Sequence, residues 1–109
     1  MATAYKVLGQ LNPSATTSTT LYTVPSATEA VVSTIAVANL AATSATYRIA
    51  IRPDAESLAN KHYVAYDVTL GASDTTLITA GITMNASDVV TVYASNANLA
   101  FSVFGTEIS

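Results

Sequence analysis

Along this chain, short apolar runs rich in Val, Ile, Thr and Tyr recur at spacings of roughly 8 to 12 residues, a rhythm that belongs to all-β folds. Turn chemistry sits between the runs at Asn12-Pro13-Ser14, Pro25-Ser26, Pro53-Asp54, Gly71-Ala-Ser-Asp74 and Asn85-Ala-Ser-Asp88. Thr, Ser, Ala and Val dominate while Leu, Glu, Lys and Gln are scarce, which favours pleated strands over helices. Strands are expected over residues 5–10, 19–24, 30–39, 45–52, 62–70, 75–84, 89–95 and 99–108. The predicted architecture is an eight-stranded antiparallel β-sandwich, jelly-roll-like or Ig-like, in one domain spanning 1–109.

Alternation sets the expected faces. In 45–52, Tyr47, Ile49 and Ile51 point inward and Thr46, Arg48 and Arg52 outward. In 62–70 the inward set is Val64, Tyr66, Val68 and Leu70, against Tyr63, Ala65, Asp67 and Thr69. Leu99, Phe101 and Val103 share one side of the last strand. Residues 30–40 are apolar on both parities, with Val31, Ile35 and Val37 against Val32, Ala36 and Ala38, as in a central strand or one beneath a subunit contact. The predicted core is Tyr47, Ile49, Ile51, Val90, Val92, Phe101 and Val103. The paired strings Ala72-Ser-Asp74 and Ala86-Ser-Asp88 suggest equivalent loops at one end of the fold. Residues 54–61 form the longest non-alternating insert, and Ala55, Glu56, Leu58 and Ala59 are spaced for one helical turn.

Charge narrows the function. Charged residues are 10% of the chain against 50% hydrophobic, and four Lys and Arg in a net charge of −3 supply no basic stripe for nucleic acid or an anionic membrane. No apolar stretch approaches the ~18 residues of a membrane span, and the start from Met1 to Lys6 lacks the pattern of a secretory signal. There is no cysteine, so thiolate, disulfide and Cys-zinc chemistry are absent.

No catalytic, cofactor or metal residue is nominated. His62, the one histidine, stands at a strand start with no nucleophile arranged beside it, and is expected to hydrogen-bond at a strand end or sit at a subunit contact. Asp54 and Glu56 lack the further oxygen ligands of a calcium loop. Asn85-Ala86-Ser87 matches a glycosylation acceptor, which has no meaning in a bacterial cytoplasm. Without Trp, no sugar platform is evident within one chain. Arg48 and Arg52 share a face about 13 Å apart and are read as ion-pair partners for acids such as Asp67, or for a neighbouring subunit. Edges without charge imply cover by association. The candidate interface is Ala36, Ala38, Arg48, Arg52, Tyr63 and Ala65.

Six strings carry a further likeness: Tyr5-Lys-Val-Leu-Gly-Gln10, Leu21-Tyr-Thr-Val-Pro25, Tyr47-Arg-Ile-Ala-Ile-Arg-Pro53, His62-Tyr-Val-Ala-Tyr-Asp67, Asp88-Val-Val-Thr-Val-Tyr-Ala-Ser95 and Phe104-Gly-Thr-Glu-Ile-Ser109. Nearly end to end, the chain resembles short virion structural proteins of tailed phages of aquatic bacteria, cyanophages included. They are packing and turn strings, so no functional residue is carried over. The resemblance implies a non-enzymatic virion protein, made in the bacterial host cytoplasm. Its expected role is capsid decoration (cement), self-associating with a trimer favoured and contacting other virion proteins such as the major capsid protein. The alternatives are a tail, fibre or baseplate accessory and, in another class, a carbohydrate-binding module.

Overall fold

The computed structural model describes residues 2–109, apart from the side chain of Ala80; Met1, where the signal-sequence reading begins, lies outside them. The strands are β1 (Thr3–Leu11), β2 (Thr19–Thr23), β3 (Glu29–Asn39), β4 (Ala45–Arg52), β5 (Tyr63–Leu70), β6 (Thr75–Met84), β7 (Val89–Ala94) and β8 (Leu99–Ile108). They form two four-stranded sheets, β1-β8-β3-β6 (sheet A) and β2-β7-β4-β5 (sheet B), antiparallel throughout and packed as a sandwich. The ladders break at several bulges, so straight segments outnumber the eight expected strands.

Pairing decides between the two expected topologies. The first strand pairs with the last, β2 with β7, β3 with β6 and β4 with β5. These are four nested antiparallel pairs, one long hairpin rolled until its halves face each other, which is a jelly roll and not the Ig arrangement. Alternate residues of both sheets meet in one core centred on Phe101, Ile35, Ile49 and Leu99, all almost fully buried. Tyr47 meets Phe101 edge to face, ring centroids 6.4 Å apart. Every predicted core residue is buried or, for Ile51, partly buried against the cluster.

Bulges explain where alternation misleads. In β3 the register shifts between Val32 and Thr34, which changes the parity, so Val32, Ile35 and Val37 point inward. In β5 the partner of Ile49 is Ala65 while that of Tyr47 is Val68, and Asp67 in the extra step adopts φ 49. The inward set is therefore Ala65 and Leu70, while Val64 and Tyr66 are exposed, reversing the expected face. Ala65 is not an outer contact residue, because it packs on the core.

The 54–61 insert also departs from expectation. It holds two three-residue turns, Pro53–Ala55 and Asn60–His62, instead of a helical turn over 55–59. The insert folds back over sheet B, burying Ala50 and Thr91, whose parity points outward. Arg52 staples it, donating from Nε to the Glu56 carbonyl (2.7 Å), from Nη2 to the Ala55 carbonyl (3.3 Å) and from Nη1 to Thr91 Oγ1 (3.2 Å).

The echoed loops share a conformation and not a location. Ser73 and Ser87 both have positive φ, and the Asp74 and Asp88 amides each close a turn onto the carbonyl three residues earlier. They flank β6, so about 33 Å of strand separates them and they sit at opposite ends.

Two polar groups join the layers. Buried Asn39 shares its Nδ2 among the Thr43, Leu70 and Gly71 carbonyls and accepts the Ala41 amide at Oδ1, tying the end of β3 to that of β5. Glu107 on β8 accepts the Tyr22 hydroxyl of β2 at 2.6 Å and the Lys6 ammonium of β1 at 2.7 Å. The Lys6 and Tyr22 bonds hold the Glu107 carboxyl below the usual carboxylate range, while burial and the nearby carboxylate push the Tyr22 phenol well up.

Candidate functional site

Two outer faces carry the candidate residues. On sheet A, the registers align rows across the four strands: Tyr5, Thr106, Val31 and Thr83; Val7, Phe104, Thr34 and Thr79; Gln10, Ser102, Ala36 and Leu77. A further row joins Ala100, Ala38 and Thr75. None of these residues is charged. Tyr5 is 83% exposed, Leu77 66% and Val7 49%, with Ala36 and Ala38 forming a flat centre between them.

Sheet B presents a different surface. Arg48 and Tyr93 are register partners on β4 and β7, and the β5 bulge brings Tyr66 and Asp67 alongside. The Arg48 guanidinium carbon lies 4.2 Å from the ring centroids of both Tyr66 and Tyr93. It also donates to Asp67 from Nε at 2.6 Å and from Nη2 at 3.3 Å, a fork on a carboxylate that raises the Arg48 pKa further above its ordinary value. Tyr63 meets Tyr66 edge to face, centroids 4.9 Å apart at 82°. Where these rings meet Asn60, at the rim of the folded-back insert, there is an open cavity of about 350 Å³.

The six nominated residues thus fall in three places. Ala36 and Ala38 lie on the sheet A face, Arg48 and Tyr63 belong to the sheet B cluster, and Arg52 and Ala65 are used inside the fold. The expected Asp67 ion pair forms with Arg48, while Arg52 bonds to carbonyls and Thr91 instead. Sequence pattern alone does not bring Tyr66 and Tyr93 to this cluster. The available signal was Asp67 itself, one of the few residue types that tolerate left-handed backbone and so permit the bulge.

His62 is 4% exposed, with both ring nitrogens engaged. Nδ1 accepts the Ala59 amide at 3.0 Å, which assigns the proton to Nε2, facing Glu56 Oε1 at 3.2 Å. The His62 hydrogen bond, helped by Lys61, holds the Glu56 carboxyl below its usual range. This arrangement orders the insert. Among the described residues there is no group of three or more His, Cys, Asp or Glu side chains placed to hold a metal ion, and no helix long and apolar enough to cross a membrane.

Fold and pairing define the class as a jelly-roll β-sandwich. Among solved structures, the chain is similar over its full length to a chain of the acidic stable capsid structure of Helicobacter pylori bacteriophage KHP30, with 15% identity and a TM-score of 0.52, covering 100% of this chain and 94% of that one. At that identity the likeness is one of fold. No protein-family model and no curated protein matches the chain.

Proposed function

We propose that this protein is a non-enzymatic structural component of a phage virion, acting as a capsid decoration (cement) protein that associates with its own copies and with shell subunits. The observation that carries the reading is the outer face of sheet A, whose rows from Tyr5 to Ala38 hold no charge and whose one ion, Glu29, stands at its end in the row with Thr3 and Ile108. A free domain of this size normally scatters charge over such a surface, whereas here exposed Tyr5, Val7 and Leu77 stand among uncharged Thr, Ser and Ala, a composition suited to a contact surface. The adjoining β6 edge adds to it: ten residues, Thr75–Met84, without a charge or a proline to discourage strand addition. The shared fold with a phage capsid chain supports the capsid over the tail as its place.

The mechanism is mechanical. Each contact is modest, and repetition over a lattice raises effective concentration until the assembly is held without a strong individual interface. A ring that closes, as a trimer does, satisfies a head-to-tail contact between different patches. Light scattering after size exclusion at tens of micromolar tests association, where about three times the chain mass is expected and a persistent monomer overturns it. Cryo-electron microscopy of the particle tests location: jelly-roll density repeated over the shell is expected, and density confined to the tail makes the protein an accessory there.

A further inference from the structure

We propose that the corner formed by Tyr63, Tyr66 and Asn60 is a binding site for a short neutral glycan. The argument starts from shape. Two tyrosine rings at 82° make adjoining walls of an open cavity of about 350 Å³, a size at the lower end of small-ligand sites. A pyranose ring offers apolar C–H faces that pack on an aromatic wall, and hydroxyls around its rim that need both donors and acceptors. The corner supplies that combination: ring surface, two phenol hydroxyls and an exposed carboxamide that both donates and accepts.

Charge selects a neutral occupant. The nearby ions are already matched, Arg48 with Asp67 and Lys61 with Glu56, so neither sign is left to draw a charged ligand. Order comes from the same contacts. Tyr66 is held by the Arg48 guanidinium, itself fixed by Asp67 and stacked on Tyr93, so the exposed wall loses little freedom when a ligand arrives. Asn60 is set at the rim because the insert is pinned by His62 and Arg52. None of this uses the sheet A face, so the site operates whether or not that face is covered.

The test is an amide-shift titration of isotope-labelled protein with methyl β-glucoside, lactose and N,N′-diacetylchitobiose. At least one probe is expected to perturb Asn60, Tyr63 and Tyr66 with an affinity near the millimolar range, and Tyr66→Ala is expected to weaken it by about tenfold or more. Asn60→Ala, at an exposed loop position, should weaken it with no change in melting. Absence of perturbation by all three probes up to about 50 mM, far above a millimolar dissociation constant, overturns the assignment. So does a perturbation that survives Tyr66→Ala, or a fall in oligomer mass on Tyr66→Ala, which would make the corner a protein contact. A monomeric mass with intact glycan shifts would count against the decoration reading alone.

Discussion

Removing the Tyr22 hydroxyl should show how much the two sheets depend on one polar bridge. The hydroxyl donates to Glu107 across the sandwich at 2.6 Å, while Lys6 holds the other carboxylate oxygen. A hydrogen bond to a charged group contributes about 1.5 to 3 kcal/mol. Glu107 retains 13% exposure, so water recovers part of the loss, and Tyr22→Phe should cost about 1.5 to 2 kcal/mol, or about 6 to 10 °C in melting temperature for a domain of this size. The pH dependence has a definite sign. Glu107 has its folded pKa depressed, so its contribution is present above the unfolded carboxylate pKa and is lost as pH falls through the folded value. Tyr22 has its folded pKa raised, so its contribution is full below the unfolded phenol pKa and declines as pH rises beyond it. Urea unfolding followed by far-ultraviolet circular dichroism, at one protein concentration, would compare wild type, Tyr22→Phe, Glu107→Gln and the double variant at pH 7 and near pH 3. A coupling above about 1 kcal/mol at neutral pH that shrinks in acid is expected. A coupling that is absent, or the same at both pH values, would refute the bridge.

Other substitutions probe the frame and the faces. Gly105→Ala would drive a Cβ into the Val31 carbonyl of the neighbouring strand, and backbone on both sides cannot yield, so a loss of about 1 to 3 kcal/mol in denaturant unfolding is expected. Ala27→Gly should raise stability by about 0.5 to 1 kcal/mol, since Ala27 sits at φ 55 where a Cβ is strained; an unchanged or lower melting temperature would contradict that. Ile49→Asp places an unpaired carboxylate at a fully buried site and should abolish the cooperative melt, its cost comparing with the whole ~5 to 15 kcal/mol stability of a domain. Leu77→Lys, at an exposed point of the sheet A face far from its one charge at Glu29, should leave the melt within about 0.5 kcal/mol of wild type while reducing the mass seen by light scattering; an unchanged oligomer would remove sheet A from the interface.

Much of this fold is written in local pattern. Residues 45–52 alternate cleanly, and Tyr47 and Ile49 are buried as the period requires. The turn clusters mark the ends of strands to within a residue or two. What local pattern does not encode is partnership: β1 pairs with β8 across nearly the whole chain, and nothing within either strand distinguishes that from an Ig arrangement. The bulge at Asp67 was hidden for another reason. Val64, Tyr66, Val68 and Leu70 form an unbroken apolar alternation, and one left-handed residue reverses its meaning for Val64 and Tyr66. The sheet B cluster stayed unseen because it exists only after that reversal, whereas Ala36 and Ala38 were legible as outer positions of a strand apolar on both sides.

Nested pairing also governs the order in which the chain can complete itself. The amide of Ala2 donates to the Ser109 carbonyl at 2.7 Å and that of Ser109 returns a bond to Ala2 at 2.8 Å, so the two ends meet. During synthesis β1 emerges before the other seven strands and waits for its partner until β8 has left the ribosome, and a topology dominated by such distant pairs folds over about milliseconds to seconds. Joining the ends with a short peptide and opening the chain in the 53–62 insert would make β5 the first strand and β4 the last, moving the long wait to the opposite edge while leaving the native contacts in place.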